Sequence, residues 1–97
     1  MVQETDTQKQ PINVSSVLAV MLDQMVSIAW QKLGLQHDVM TGKIEKDIHQ
    51  AKTAIDVASS LSTFLEPELD DEDKRQVQNL LRDLKVNFVE QSKGVNS

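Results

Sequence analysis

The segment at residues 14–33 constrains the fold most, because in a helix its apolar side chains would occupy more than half of the circumference. At 100° per residue they span an arc of about 220°, roughly twice the width of an ordinary amphipathic stripe. The arc contains Val14, Val17, Leu18, Met21, Leu22, Met25, Val26, Ile28, Ala29, Trp30 and Leu33. The remaining polar strip contains Ser16, Asp23, Gln24, Ser27 and Gln31. This helix therefore needs cover on two sides, and we expect Trp30, at the edge of the arc, to be partly buried.

The periodicity of apolar residues predicts three helices, at about residues 14–33, 48–65 and 71–90. A chain of 97 residues is one domain. Aromatic residues make up only 3% of it and cysteine is absent, so the core must be aliphatic and lacks disulfide support. We predict an all-α fold, a three-helix antiparallel bundle that is completed by self-association.

Residues that favour helix ends flank these segments. Asn13 and Asp70 are expected N-caps, and Asp47 begins a capping-box pattern before the second helix. Gly34 can end the first helix in the left-handed conformation. Pro67 biases the residue before it away from helical angles and is expected to end the second helix. The helical domain then covers residues 12–91, between flexible tails at 1–11 and 92–97.

The third helix differs from the first in having a single apolar stripe. Its residues Val77, Leu80, Leu81, Leu84 and Phe88 span about 100°. We expect this stripe to be buried inside its own protomer, while the second face of the first helix mediates a dimer or a small even oligomer. The candidate interface is Val17, Met21, Met25 and Ile28.

The charge of the chain disfavours two classes of partner. A net charge of −5 is opposite in sign to the surface of a protein that binds nucleic acid or anionic membranes. The polar start lacks the pattern of a secretory signal, and the apolar stretch at residues 17–30 is interrupted and shorter than the roughly 20 residues of a membrane span. We expect a cytoplasmic protein without nucleic-acid or membrane partners.

Several strings also carry a resemblance to a known family. They are Leu33-Gly34-Leu35, Thr41-Gly42-Lys43, Ala51-Lys52-Thr53-Ala54-Ile55-Asp56 and Leu80-Leu81-Arg82-Asp83-Leu84-Lys85-Val86-Asn87-Phe88-Val89-Glu90. In this order and spacing the chain resembles a small bacterial family catalogued as domain of unknown function 1844. The resemblance implies a helical bacterial protein. It implies no activity and carries over no catalytic or binding residue.

Residues with metal-binding or catalytic chemistry lack a supporting pattern. His37, Asp38, Glu45, Asp47 and His49 lie in or near the loop between the first two helices, but no standard metal-ligand spacing is present. The acidic run at residues 70–73 is better explained by its favourable interaction with a helix dipole than by calcium binding. We predict no catalytic, cofactor-binding or metal-binding residue, although the sequence leaves open whether the His37, Asp38 and His49 loop binds anything.

Two functional hypotheses follow from these observations. The first is a small non-catalytic helical module for protein interaction that acts as a homo-oligomer, with the first helix as its assembly surface. The alternative is a helical protein that binds a small ligand or a metal in a pocket between helices, with enzymatic activity as one form of it.

Overall fold

The computed structural model describes residues 10–93 and contains three α-helices. They are α1 (Val14–Lys32), α2 (Ile48–Leu65) and α3 (Asp71–Lys93), with a short 3-10 turn at Glu66–Glu68. No strand occurs within residues 10–93. The predicted all-α three-helix bundle is therefore confirmed. Residues 1–9 of the predicted N-terminal tail lie outside the described residues.

The start and end of α1 follow the predicted signals. The Asn13 side chain accepts a hydrogen bond from the Ser16 amide at 3.0 Å. Gly34 has a φ of 83°, which glycine adopts without the steric cost that a Cβ imposes. A Cβ at this position would also lie 3.1 Å from the Cβ of Lys46, so the chain after α1 passes close to the residues before α2.

The start of α2 is fixed to the end of α1. The Asp47 side chain accepts a hydrogen bond from the Gln50 amide at 3.0 Å, as expected for an N-cap. The Asp47 amide donates to the Lys32 carbonyl at 2.8 Å. That carbonyl lies in the last turn of α1, where carbonyls have no partner within the helix. Asp47 therefore caps the start of α2 with its side chain and provides a hydrogen-bond donor for a carbonyl at the end of α1 with its backbone amide.

The end of α2 lies at Leu65 as predicted, but the expected mechanism is wrong. Glu66 keeps helical angles, with φ −52° and ψ −41°, although it precedes proline. Pro67 occupies the first turn of the 3-10 segment, where its fixed φ fits and its missing amide hydrogen costs little. The chain becomes extended only at Leu69.

The third helix begins as predicted and ends later. The Asp70 side chain accepts a hydrogen bond from the Asp73 amide at 2.8 Å. The helix continues to Lys93, beyond the predicted end at about residue 90 and into the first two residues of the predicted tail at 92–97. The rest of that predicted tail, residues 94–97, lies outside the described residues.

The core lies mainly between α1 and α2, and α3 covers it from one side. Its buried apolar residues are Leu22, Val26, Ala29, Leu33, Ala51, Ala54, Ile55, Ala58, Leu65, Leu81 and Leu84. Only two of them, Leu81 and Leu84, belong to α3. Half-buried Val77, Leu80 and Phe88 pack against the same core. The stripe of α3 is thus used within the protomer, and half-buried Trp30 packs on the core as expected.

We predict that Leu84→Ala lowers the free energy of unfolding by about 2–5 kcal/mol, because it removes most of a fully buried side chain and leaves a cavity. Urea unfolding followed by circular dichroism measures this change. Val86→Ala on the same helix is the control, since Val86 is exposed. Equal effects of the two substitutions would show that α3 does not pack as described.

Candidate interaction surface

The predicted interface residues lie together on one side of α1. Val17, Met21 and Ile28 remain 45%, 42% and 38% exposed, and Met25 is half-buried. We call these four residues the α1 stripe. Large apolar side chains that remain exposed in a group mark a surface suited to a partner.

The α1 stripe is separate from the side of α1 that enters the core. The core side presents Leu22, Val26, Ala29 and Leu33. At 100° per residue, its centre lies roughly 110° from the centre of the stripe. The wide apolar arc of α1 therefore consists of two faces. The core side is covered by the rest of the chain, and the α1 stripe is not.

Spacing along α1 favours another helix as the partner of the stripe. Val14, Val17, Met21, Gln24 and Ile28 follow one another at intervals of three, four, three and four residues. This alternation keeps side chains in line along a helix and is the spacing of a coiled-coil seam. A second helix laid along α1 would meet apolar side chains at four of these five positions.

The stripe carries no charge. The only charged residues of α1 are Asp23 and Lys32. Asp23 lies roughly 160° from Met21 around the helix. Lys32 lies one turn beyond Ile28 and roughly 20° from Met21 and Met25 around the helix, so it borders the stripe at its C-terminal end. An apolar partner could cover the four stripe residues while the long side chain of Lys32 keeps its ammonium group in water.

Gln31 corrects the predicted polar strip, because its side chain is buried and only 6% exposed. Its Nε2 donates to the Ser27 hydroxyl at 3.3 Å, and its Oε1 accepts from the Val39 amide at 3.1 Å. The loop at residues 33–47 therefore folds back over this part of α1. Helical periodicity cannot predict the hydrogen bond between Gln31 and Val39, since this bond depends on the path of the loop.

Hydrogen bonds also order the loop tip. The Asp38 carboxylate accepts from the amides of Met40 and Thr41 at 2.7 and 3.1 Å. The Gly42 amide donates to the Asp38 carbonyl at 2.8 Å, and the φ of Gly42 is 72°, as the predicted turn requires. Around this turn the side chains of Leu35, Val39, Met40 and Ile44 remain exposed. The loop thus presents apolar side chains from an ordered backbone.

The candidate metal-ligating residues of this loop are not brought together. Within residues 10–93, no group of three or more histidine and acidic side chains is placed to hold a metal ion. The carboxylates of Asp38 and Asp47 accept hydrogen bonds from backbone amides. Glu45 accepts one from the Thr41 hydroxyl at 3.1 Å. These three acids therefore have structural roles in the loop and at the start of α2.

A groove between α2 and α3 is the clearest candidate for a small ligand. Its volume is about 630 Å³, and its lining includes Ser59, Ser62, Gln78, Arg82 and Lys85. The Ser62 hydroxyl donates to the Ser59 carbonyl at 2.8 Å. The buried Ser59 hydroxyl has no hydrogen-bond partner. The charged lining of the groove consists of two cationic side chains, Arg82 and Lys85, and one acidic side chain, Glu66.

By length and composition, α1 is also able to cross a membrane. This finding corrects the prediction that the apolar stretch is too short, because the helix extends beyond residues 17–30 to cover Val14–Lys32. A single helix of this kind is weak evidence for a membrane span, since buried core helices of soluble proteins and N-terminal signal sequences meet the same criteria. In this structure 22% of the helix is buried, on the side of α1 that is packed in the core.

Comparison with models of protein families matches residues 14–90 to one family, described as "Domain of unknown function (DUF1844)". The match covers α1, α2 and nearly all of α3. No curated protein and no solved structure matches the chain. The comparisons thus identify a family without identifying an activity, and the surface must be interpreted from its own geometry.

We predict that Gln31→Ala lowers the free energy of unfolding by about 0.5–1.5 kcal/mol, because the hydrogen bond between its Oε1 and the amide of exposed Val39 is lost. Hydrogen exchange of the Val39 amide should become faster at the same time. Gln76→Ala is the matched control, since Gln76 is a helical glutamine that is exposed and lies outside the α1 stripe. Unchanged exchange at Val39 would contradict the role of Gln31 in holding the loop.

Proposed function

Because the chain belongs to the DUF1844 family, whose description assigns no activity, we propose its function from its surface: a small, non-catalytic protein-interaction module that acts as a homo-oligomer. The assembly surface is the α1 stripe. The proposal includes a bacterial origin, which the family resemblance implies, and a cytoplasmic location. Its biological role is to hold copies of the chain together and so present their remaining surfaces to a protein partner.

The observation that carries the proposal is the uncharged apolar stripe left uncovered on α1. Exposed apolar surface of this kind is costly in water, and its burial against a second protein surface stabilises the complex. A second copy offers an identical stripe. In a two-fold symmetric pair each stripe would meet its equivalent, which is the commonest geometry of protein dimers.

A membrane is the competing occupant of the α1 stripe. The net charge of −5 opposes binding to anionic lipid surfaces. Lys32 is the only lysine or arginine of α1, whereas several such residues border the apolar face of most membrane-surface helices. A second protein chain therefore fits the stripe better than a lipid surface does.

We predict that the protein is a dimer or a small even oligomer at micromolar concentration, and that Met21→Asp weakens its association by about tenfold or more. The substitution would bury a carboxylate without a partner in the interface. Sedimentation equilibrium measures the association, and circular dichroism should show that the helices remain.

Ser16→Asp is the control for this substitution. It adds the same charge to α1 at an exposed position roughly 140° from Met21, and it should leave association unchanged. A monomeric wild-type protein at tens of micromolar would contradict the proposal. A monomer that also sediments with phosphatidylcholine vesicles would identify a membrane as the occupant of the stripe.

The α2–α3 groove supports the alternative function, a small-ligand-binding protein. Arg82 and Lys85 border this groove together with the carboxylate of Glu66. A small anionic molecule could pair with the two cationic side chains. The groove is open to solvent, and binding is its candidate role.

Native mass spectrometry of protein purified from its host separates the two functions. The interaction-module proposal predicts masses that are even multiples of the chain mass, with no additional bound molecule. A small molecule retained by the wild-type protein and lost in the Arg82→Ala variant would favour the ligand-binding alternative.

A further inference from the structure

A second apolar group lies on the surface of α2. It consists of Val57, Leu61 and Phe64, at intervals of four and three residues. Phe64 is 72% exposed, Val57 is also exposed and Leu61 is half-buried. Together they line a shallow groove of about 250 Å³. These residues are outside the interface predicted from the sequence, and they have no role in packing α3.

The position of α3 shows which side of α2 carries this group. Residues of α2 that line the spaces shared with α3 include Ile55, Ser59 and Ser62. At 100° per residue, Val57 and Phe64 lie roughly 180° from the centre of these three. They therefore face away from α3.

The same relation holds on α1. Ala19, Leu22, Asp23 and Val26 line the space that α1 shares with α3. The α1 stripe lies roughly 155° from the centre of these four residues around the helix. Since α1 and α2 pack side by side, both apolar groups lie on the side of the hairpin opposite α3. We call this combined surface the open face; it comprises the α1 stripe with Val57, Leu61 and Phe64.

The open face is continuous across the two helices. Leu18 and Met25 of α1 and Leu61 of α2 are half-buried and pack against the core, as expected for side chains at the seam between neighbouring helices. Asp56 lines the same groove as Val57, Leu61 and Phe64, and its carboxylate pairs with Lys52 at 2.8 Å. On α1, Lys32 borders the stripe at its C-terminal end. The centre of the open face is therefore apolar, and its charged residues lie at the edges.

We infer that a second copy of the chain docks on the whole open face, with Phe64 as an anchor, so that two α1–α2 hairpins pack against each other and both α3 helices remain outside. This inference rests on the proposed self-association and adds α2 to its surface. The resulting dimer has four helices at its centre, two from each copy. The two open faces pack against each other and form a second apolar core between the hairpins.

The available area supports this arrangement over a contact through α1 alone. From the exposed fractions of the apolar side chains, the α1 stripe offers roughly 250 Å² and the whole open face roughly 500 Å². A stable interface usually buries about 800 Å² on each partner, of which somewhat more than half is apolar. The open face supplies that apolar share, whereas the α1 stripe supplies about half of it. An apolar centre also fits a second apolar centre, since the charged groups at the edges can remain in water.

Val57→Asp and Phe64→Ala test the role of α2 in the full-length protein. Each should weaken dimerisation by about tenfold or more in sedimentation equilibrium, because the first buries a charge in the interface and the second removes an aromatic anchor. Val86→Asp is the matched control. It makes the same substitution at an exposed valine of α3, in the α2–α3 groove, and should leave the dimer intact.

The outcomes distinguish this inference from the proposed function. If Met21→Asp dissociates the dimer while Val57→Asp and Phe64→Ala do not, α1 alone forms the interface and the inference is wrong. If the wild-type protein is a monomer, the proposed function itself is wrong. If Val86→Asp dissociates the dimer and the two α2 variants do not, the second copy docks on the α2–α3 groove instead.

Discussion

The packing of α1 against α2 is the interaction on which the rest of the structure depends. Small side chains form much of this contact: Ala29, Ala51 and Ala58 are fully buried. Alanine lets two helices approach closely, because the distance between helix axes depends on the side chains at the contact. The hydrogen bond from the Asp47 amide to the Lys32 carbonyl joins the two helices at one end. The hairpin is thus the unit to which the other parts attach.

The hairpin has two apolar sides, and α3 provides apolar cover for only one of them. A single stripe on α3, with Leu81 and Leu84 at its centre, packs on the side of α2 that carries Ile55. The opposite side keeps apolar residues of both α1 and α2 in solvent. Self-association would cover that side. The proposed function follows from this imbalance between one covering helix and two apolar sides.

Local signals in the sequence predicted most of the fold. Asn13, Asp47 and Asp70 accept the expected capping hydrogen bonds, because a cap depends on residues within one turn of it. Gly34 and Gly42 adopt the positive φ angles expected for helix-end and turn positions. The end of α2 was predicted at the correct residue for the wrong reason, since Glu66 stays helical and the chain continues into a 3-10 turn.

Features that depend on tertiary contacts were not predicted. Gln31 belongs to the polar strip of α1 by periodicity, and it is buried only because the loop returns over it. Val57 and Phe64 were outside the predicted interface because periodicity identifies the main apolar face of α2 and does not show which side α3 leaves open. The spacing of Val57, Leu61 and Phe64 at four and three residues does place them on one side of a helix. Whether that side is exposed depends on the position of α3, which the sequence does not show.

The most direct test of the account is a nuclear Overhauser measurement between copies, in a mixture of isotope-labelled and unlabelled protein. If two copies meet through the open face, methyl groups of Met21 or Met25 will show intermolecular contacts with side chains of the open face, including the Phe64 ring. The α3 residues Val86 and Val89 will show none. Intermolecular contacts confined to Val86 and Val89, or none at concentrations where the protein is fully associated, would contradict the central claim that the open face is where two copies meet.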